Sequence, residues 1–256
     1  MNIIGIIPAR LASSRLPNKP LAQICGIPMI GHVYYRSKMC DIFKEVYIAT
    51  CDVEIADYIT SIGGKYVMTS NLHERASDRT AEALLKIEEE LGSKIDIVVM
   101  IQGDEPMITP EMIKASIEPL YTDSTLEITN VMGNINTIDE FEDPAEVKVV
   151  IDCNSNALYF SREPIPSRKK GVSEVPMLKQ VCIIPFRRDF LLKYNSIQPT
   201  QLEIIESIDM NRLLENNIKI RMIFRSECTY SVDTNADLLK VNKLMEKDTL
   251  VGKYNI

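Results

Sequence analysis

This sequence of 256 residues contains few histidines, and its cysteines are scattered along the chain. There are two histidines, His32 and His73, and six cysteines that form no Cys-x-x-Cys pair and no zinc-finger spacing. Two histidines are too few for a histidine-based metal site, and neither has an evident carboxylate partner, so we expect both to be structural or to lie at the surface. The scattered cysteines predict reduced, partly buried thiols in a reducing compartment.

Long apolar runs and an excess of basic residues are also missing. No apolar stretch approaches the roughly 18 residues of a membrane-spanning helix, which predicts no membrane insertion. Met1 and Asn2 lead into an apolar run without a basic segment before it, so we expect no signal peptide and a cytoplasmic location. The formal net charge of -7 and the pI near 5.1 argue against a nucleic-acid partner, because nucleic-acid-binding domains are usually basic.

Several phosphate-binding and catalytic motifs are absent as well. The sequence has no P-loop signature, and no GxGxxG follows the first strand, which disfavours P-loop NTPases and dinucleotide oxidoreductases. It also lacks the GxSxG and HExxH signatures of hydrolases. Any phosphate binding must therefore depend on other basic residues.

The first 20 residues supply such basic residues. Residues 3–7 are apolar and mostly β-branched, which predicts a strand buried on both faces. The loop that follows contains Arg10, Arg15 and Lys19. Ligands of open α/β sheets bind at the carboxyl ends of the strands, so this loop suits a polyphosphate. The alternative is a solvated surface loop with incidental charges.

Strand and helix patterns then alternate, which indicates βαβ units and a parallel sheet. We predict helices at 29–39, 53–62, 79–91 and 110–121, and strands at 46–49, 66–68 and 97–101. Gly92 would end the third helix and Thr109 would cap the fourth.

A different pattern follows in the second half of the chain. Strand-like segments at 126–132, 147–151 and 157–160, with Asn and Asp between them, predict an antiparallel lobe. The polar segment 167–174 is a candidate lid or a loose loop. A strand at 181–185, a helix at 202–214, a strand at 218–224 and a helix at 235–247 follow. We expect one domain over 1–256, with a core of about 1–125 and 195–256 and an inserted lobe of about 126–194.

Two aspartates follow strand-like segments. Asp104 comes shortly after the apolar strand at 97–101, and Asp233 comes after 229–232. Carboxylates at such a sheet edge suit Mg²⁺, which takes one or two of them together with phosphate oxygens. The alternatives are a turn aspartate at 104 and a helix cap at 233, and the sequence does not show whether the two residues meet.

Several segments, taken in order, resemble the 3-deoxy-manno-octulosonate cytidylyltransferases, also called CMP-Kdo synthetases. The similar segments lie at 7–10, 14–21, 26–30, 102–106, 147–150, 157–162 and 232–234, so the resemblance covers nearly the whole chain. It implies a three-layer nucleotidyltransferase α/β fold, in which helices flank a mostly parallel Rossmann-like sheet, with a small antiparallel lobe used for dimerisation. It also implies a Mg²⁺-dependent, homodimeric enzyme that joins CTP to a small acidic acceptor and releases pyrophosphate.

The resemblance assigns site residues position by position. CTP would be bound by Pro8, Ala9, Arg10, Ser13, Arg15, Lys19, Ser77, Arg79, Gln102 and Asp104, of which Arg10, Arg15, Lys19 and Asp104 would be catalytic. Mg²⁺ would be held by Asp104 and Asp233. The acceptor would contact Arg79, Gln102, Arg162, Gln180, Ile184, Glu206, Asp209 and Met210.

Some of the residues predicted to contact the acceptor differ from those of the family. Gln180 and Ile184 stand where the family has a histidine and a tyrosine, and Asp209-Met210 replaces a Glu-Gln pair. A site built to bind hydroxyl groups loses affinity when these partners vanish. We therefore expect Kdo or a Kdo-like 2-keto sugar acid, with amino-Kdo, a sialic-type sugar or a phosphonate as alternatives. A non-catalytic nucleotide-binding paralogue is the alternative outside the enzyme class.

A second departure lies at 75–79, which reads Arg-Ala-Ser-Asp-Arg where the family has Ser-Gly-Thr-Glu-Arg. The acidic residue and the final arginine are kept. Ser77 or Asp78 could instead simply cap the helix that starts here, and Asp78 would be stabilising near its N-terminus without any further function.

Overall fold

The computed structural model describes residues 1–13, 15–172, 174–227 and 229–254. The predictions made for Ser14, for Ser173 in the 167–174 segment and for the Cys228 thiol lie outside these residues. The five described cysteines are free thiols and range from buried to exposed.

The first of two large sheets is built around β1 (Ile3–Ala9), which lies between β6 (Ile97–Ile101) and β4 (Glu45–Thr50). β5 (Lys65–Met68) pairs with β4 at one edge, and β11 (Ile183–Arg187) pairs antiparallel with β6 at the other. The remaining pairs are parallel. Every residue of β1 and β6 is buried, as predicted for strands that are covered on both faces.

Helices cover both faces of this sheet and form the outer layers of a three-layer α/β fold. α1 (Met29–Lys38), α2 (Val53–Ser61) and α4 (Pro110–Thr122) share one buried apolar cluster with the sheet. α3 (Ala76–Leu91) and α6 (Arg188–Ser196) share the cluster on the opposite face. The predicted fold class is therefore confirmed.

The ends of α3 and α4 show which local signals were correct. α3 ends at Gly92, whose φ of 62° is the left-handed conformation that favours glycine. Thr109 caps α4 as predicted, because its side chain accepts the Met112 N–H at 3.1 Å. The cap predicted for α3 is wrong: the helix begins at Ala76 with no side-chain cap, so Ser77 and Asp78 lie inside its first turn.

The second sheet has five strands in the spatial order β12, β7, β10, β8 and β9. Their bounds are Thr129–Asn134 for β7, Lys148–Ile151 for β8, Ala157–Ser161 for β9, Leu178–Val181 for β10 and Arg221–Arg225 for β12. β12 pairs parallel with β7, and the other pairs are antiparallel. The sheet is therefore mixed rather than wholly antiparallel.

Two long-range features correct the sequence prediction. The strand predicted at 181–185 is two strands, because the chain leaves the second sheet after β10 and enters the first sheet as β11. The second sheet therefore does not coincide with the lobe expected over 126–194. β11 lies within that range but belongs to the first sheet, and β12 lies outside that range but belongs to the second sheet. A local apolar pattern shows that a segment is buried and does not show which sheet it joins.

The helix predicted at 202–214 is also two helices, α7 (Gln201–Glu206) and α8 (Met210–Glu215). They are separated at Ser207, whose φ of 53° is left-handed. α5 (Ile138–Glu142) and α9 (Asn235–Met245) complete the helices, and β2 (Gln23–Ile24) and β3 (Ile27–Pro28) form a short hairpin. Within the described residues, no helix has the length and apolar character needed to cross a membrane.

Three apolar clusters hold the molecule together. The largest joins both sheets, since it contains Ile6 of β1 and Phe160 of β9. The smallest lies under the loop that follows β1 and includes Leu16, Met29 and Val232. The loop, α1 and the residues before Asp233 therefore share one small core, which brings distant parts of the sequence to the same sheet edge.

Candidate active site

A cavity of about 420 Å³ opens at the carboxyl ends of β1 and β6. Most of the predicted nucleotide and metal residues line it: Pro8, Ala9, Arg10, Ser13, Arg15, Lys19, Arg79, Gln102, Asp104 and Asp233. Asp209, predicted for the acceptor, lines it as well. The site therefore lies where ligands of open α/β sheets collect.

Lys19 is placed between the two candidate metal-binding carboxylates. Its Nζ lies 2.7 Å from Asp104 Oδ2 and 2.9 Å from Asp233 Oδ1, and Arg15 lies 3.1 Å from the same Asp233 oxygen. Burial by itself would lower the pKa of Lys19, but the charges and hydrogen bonds of Asp104 and Asp233 outweigh burial and raise it. Lys19 is therefore a permanent cation at neutral pH.

Backbone contacts bring the two aspartates together. The carbonyl of Asp104 accepts the Val232 N–H at 3.0 Å, which joins the end of β6 to the segment before α9. The backbone N–H of Asp233 donates to Asp237 Oδ2 at 3.1 Å, and Asp237 also forms a capping box with Thr234 at the start of α9. Thr234 is thus the helix cap, and the Asp233 side chain remains available to face the cavity.

Gly103 permits the close approach of this loop to β1. A Cβ atom added at Gly103 would lie 2.9 Å from the side chain of Ile30 and 3.3 Å from the carbonyl oxygen of Pro8. A larger residue would crowd the Ile30 side chain and the Pro8 carbonyl, so that one of these groups or the loop must shift. The glycine therefore contributes to the position of its neighbour Asp104.

Arg79 is a buried cation in the wall of the cavity. It is 3% exposed, and its Nη1 donates to Thr69 Oγ1 at 2.5 Å. Its Nη2 is buried and has no hydrogen-bond partner among the described residues. Buried polar groups are nearly always paired, so this nitrogen suits an anionic group of a ligand.

Asp209 forms an acidic part of the same wall. Burial raises the pKa of its carboxyl, and the charge of Arg75 opposes this rise. Ser77 does not line the cavity; it is fully buried, and its Oγ donates to Asp209 Oδ2 at 3.4 Å. Ser77 therefore reaches the cavity only through Asp209.

Five residues predicted for the acceptor do not line this cavity. Ile184 and Met210 are buried in the largest apolar cluster, which corrects the expectation that their side chains face the acceptor. Gln180 donates to Asn130 Oδ1 at 2.6 Å, and Glu206 accepts the Arg162 backbone N–H at 2.8 Å. Acceptor contacts by Gln180, Glu206 and Arg162 stay predictions.

Three consecutive residues that the sequence did not predict for the site also line the cavity: His73, Glu74 and Arg75. His73 does have a carboxylate partner, Glu82 of α3, contrary to the prediction. Its carbonyl oxygen lies 3.4 Å from Nη1 of Arg10, so this loop contacts the basic loop after β1. A charged loop before a helix is common, and we find no sequence signal that would have placed it here.

The donor set at Asp104 and Asp233 fits a hard divalent cation. Both groups are carboxylates, and an oxygen of each lies within hydrogen-bonding distance of the Lys19 ammonium, so a positive charge is already accommodated between them. Among the described residues no group of three or more His, Cys, Asp or Glu side chains could hold a metal. Two carboxylates with further oxygens from a phosphate ligand are typical of Mg²⁺.

The mostly parallel sheet, the basic loop and the paired carboxylates at one edge of the sheet define a nucleotidyltransferase-type α/β protein. The sequence profile of the family described as "Cytidylyltransferase" matches residues 4–220. The chain therefore belongs to the cytidylyltransferase family and is an enzyme of the nucleotidyltransferase class.

Individual relatives are similar over almost their full length. A 3-deoxy-manno-octulosonate cytidylyltransferase of Geobacter metallireducens is 39% identical over 251 residues, which cover 94% of this chain and 96% of the relative. The protein of that name from Acaryochloris marina is 35% identical, with 96% and 98% covered. The resemblance to this family is confirmed.

Solved structures agree with this result. A CMP:2-keto-3-deoxy-manno-octonic acid synthetase complexed with CTP has a TM-score of 0.87 and 38% identity, covering 96% of this chain and 99% of its own. A glucose-1-phosphate thymidylyltransferase of Bacillus anthracis, so described provisionally, has a TM-score of 0.64, 20% identity and 96% of each chain covered. The second similarity concerns the fold alone.

Proposed function

We propose that this enzyme joins CTP to a 2-keto sugar acid, Kdo or a close analogue, and releases pyrophosphate in a Mg²⁺-dependent reaction. The observation that carries the proposal is the placement of Lys19 between Asp104 and Asp233 in a cavity that Arg10 and Arg15 also line. The names of the similar proteins and the CTP in the similar structure support the choice of nucleotide and acceptor.

The basic residues of the loop would bind the triphosphate. Arg10, Arg15 and Lys19 donate hydrogen bonds and place positive charge where negative charge develops during the reaction. Asp104 and Asp233 would hold Mg²⁺, which when bound would supply Lewis-acid stabilisation of negative charge on phosphate oxygens. Lys19 stays protonated because its pKa is raised, so it donates to phosphate oxygens throughout.

The chemical step needs little more than this positioning. The anomeric hydroxyl of the acid attacks the α-phosphorus in line and forms a new P–O bond, and its proton passes to solvent. The bond from the α-phosphorus to the oxygen bridging to the β-phosphate breaks, and pyrophosphate leaves with the electron pair. A histidine base is not required.

The acidic group of the acceptor suits the opposite wall of the cavity. Arg79 has a buried Nη2 without a partner among the described residues, and Arg75, four residues earlier in the chain, also lines the cavity. Asp209 contributes a carboxyl group that would accept a hydrogen bond from a sugar hydroxyl. Recognition of one anionic group and one hydroxyl-bearing chain fits a sugar acid better than a neutral sugar.

The test is pyrophosphate release by the purified protein with CTP, Mg²⁺ and a panel of acids. The panel contains Kdo, its 8-amino analogue, a sialic acid and a phosphonate, with Asp104→Asn as the inactive control. We expect release with CTP and a 2-keto sugar acid. Release with the phosphonate alone would overturn the acceptor assignment, and CTP binding without release on any acid would indicate a non-catalytic paralogue.

A homodimer is part of the same proposal. Leu158 of β9 and Ile204 and Ile205 of α7 are 60%, 65% and 66% exposed. β9 and α7 are adjacent, because Tyr159 donates to Glu206 Oε1 at 3.0 Å. Exposed apolar residues on adjacent elements can form a protein interface, and a second copy of the chain is the partner we propose.

A further inference from the structure

Glu105 is a buried carboxylate directly beside the active site. Its neighbour Asp104 faces the cavity, whereas Glu105 is 4% exposed and points away from it into the protein. Its Oε2 accepts the Thr229 hydroxyl at 2.9 Å, and its Oε1 lies 3.5 Å from the Cys182 backbone N–H. A carboxylate is costly to bury, so each hydrogen bond that it accepts helps the fold to keep it, and the shorter of the two comes from Thr229.

The residues around Glu105 come from three parts of the chain. Cys182 is the single residue between β10 and β11, where the chain passes from the second sheet to the first, and its carbonyl accepts the Gln102 N–H at 3.0 Å. Thr229 lies four residues before Asp233 and is 3% exposed. Glu105 is therefore at the point where the two sheets and the segment carrying Asp233 meet.

Two contacts connect this segment to the end of β6. One is the backbone hydrogen bond from Val232 to the Asp104 carbonyl, at 3.0 Å. The other is the side-chain hydrogen bond from Thr229 to Glu105. Together these two contacts fix both ends of the short segment 229–232, and they thereby position Asp233, the next residue in the chain.

A further contact restrains the segment from the side. The ring of Tyr230 makes cation–π contacts with two lysines, whose Nζ atoms lie 5.1 Å (Lys179) and 3.7 Å (Lys240) from its centre. Lys179 is itself paired with Glu146 at 3.1 Å. These cation–π contacts are less directional than hydrogen bonds, so the register of the segment depends on its two hydrogen bonds, from Val232 to Asp104 and from Thr229 to Glu105.

We infer that Glu105 is a positioning residue that, through its hydrogen bond with Thr229, holds Asp233 beside Asp104 for binding of the metal–nucleotide complex. The inference rests on the proposed function, because it assumes that these two aspartates bind the cation. Partners of metal-binding carboxylates typically change metal affinity by about 10- to 100-fold when they are removed. Thr229 contacts neither metal-binding carboxylate and acts through the backbone of 229–233, so we expect its effect at the lower end of this range, about tenfold.

The experiment compares Thr229→Val with Thr229→Ser. Valine keeps the shape and removes the hydroxyl, whereas serine keeps the hydroxyl. Binding of Mn²⁺ in the presence of CTP is measured by electron paramagnetic resonance, together with kcat and the Mg²⁺ concentration for half-maximal rate. We expect Thr229→Val to raise the Kd of Mn²⁺ about tenfold and Thr229→Ser to change it less than about twofold.

A matched control separates positioning from stability. Thr129 on β7 is a fully buried threonine that does not line the cavity, and its hydroxyl donates to the Ser116 carbonyl. Thr129→Val should lower the midpoint of urea unfolding without changing Mn²⁺ binding. If Thr229→Val behaves like this control, Thr229 and Glu105 are merely structural and the inference is overturned.

Glu105→Gln adds a second measurement. The glutamine oxygen still accepts from Thr229, but its NH₂ group would face the Cys182 N–H, so we expect a smaller loss of Mn²⁺ affinity than for Thr229→Val. Unchanged affinity in both variants contradicts the inference. Failure of the proposed function looks different, because the wild-type protein would then bind Mn²⁺ and CTP and yet release no pyrophosphate with any acid.

Discussion

Arg79 combines burial with a place in the cavity wall. One of its nitrogens is occupied by Thr69, and another is buried without a partner among the described residues. A guanidinium held in this way is preorganised, since its position is set before a ligand arrives. The side chain is therefore suited to bind a fixed anionic group, whether a phosphate or the carboxylate of the acid.

We predict that Arg79→Lys raises the KM of CTP or of the acid about tenfold or more, with a smaller change in kcat. A hydrogen bond to a charged group is worth about 1.5–3 kcal/mol, and lysine cannot reproduce the planar fork. Steady-state kinetics with each substrate varied in turn provides the measurement. Arg188→Lys, in an ion pair with Glu88 remote from the cavity, is the control. If both KM values stay within about twofold of wild type, Arg79 does not bind substrate.

For individual residues, only part of the candidate active site could be predicted from the residue types in the sequence. Arg10, Arg15 and Lys19 stood out because three cations follow one buried strand, and the structure does place all three on the cavity. Ile184 and Met210 were assigned by position in a motif, and burial in the core removes them from the cavity. A motif gives the position of a residue in the chain and cannot give the direction of its side chain.

At the scale of the element, α3 connects the cavity loop to the first sheet. Glu82 on this helix accepts from the Ser70 backbone N–H at 2.9 Å and pairs with Lys86 at 2.8 Å and with His73. Burial would raise the pKa of Glu82, but these hydrogen bonds and charges hold it at about 2. The carboxylate therefore fastens the loop that contains His73 to the helix.

The sign of the resulting pH dependence follows from this lowered pKa. The stability supplied by Glu82 is fully present above its unfolded pKa near 4.5 and is lost as the pH falls toward 2. We expect Glu82→Gln to lower the unfolding free energy by about 1 kcal/mol at pH 7, and the difference from wild type to shrink by pH 3. Urea unfolding of both proteins at pH 7 and at pH 3 measures this difference in unfolding free energy. If the difference in unfolding free energy between Glu82→Gln and wild type grows as the pH falls, this role is wrong. The role is also wrong if Glu89→Gln, a substitution of an exposed residue of α3, lowers the unfolding free energy equally.

Elements with a strong local pattern were predicted closely. The predicted bounds of β6 are correct to the residue, because its apolar run is a local signal. The predicted α4 differs from the structure by one residue at its C-terminal end, and its start was marked by the local sequence Thr-Pro. The split between β10 and β11 was missed, since both halves are buried and apolar. Which sheet each half joins depends on hydrogen-bond partners far away in the sequence.

At the scale of the whole molecule, the two sheets share one apolar cluster. The second sheet, with α7 against β9, also presents the exposed apolar residues that support the proposed homodimer. Burying these side chains against a second copy would remove apolar surface from water, and charge placed among them would oppose association.

We predict that the wild-type protein sediments as a dimer at micromolar concentration and that Leu158→Glu shifts it to a monomer. Analytical ultracentrifugation measures the change. Leu239→Glu is the control, because Leu239 is 73% exposed on α9, outside the proposed interface. A monomeric wild type, or equal effects of the two substitutions, would show that the patch on β9 and α7 is not the interface.

The sequence by itself determined the class of fold and the basic loop after β1, because periodic burial and a run of cations are local properties of the chain. It also identified Asp104 and Asp233 as candidate metal ligands. Only the tertiary structure decided that they meet at Lys19 and that Glu105 and Thr229 connect their segments. The physical reason is that these contacts join residues far apart in the chain, and such contacts depend on how the two sheets and α9 pack together.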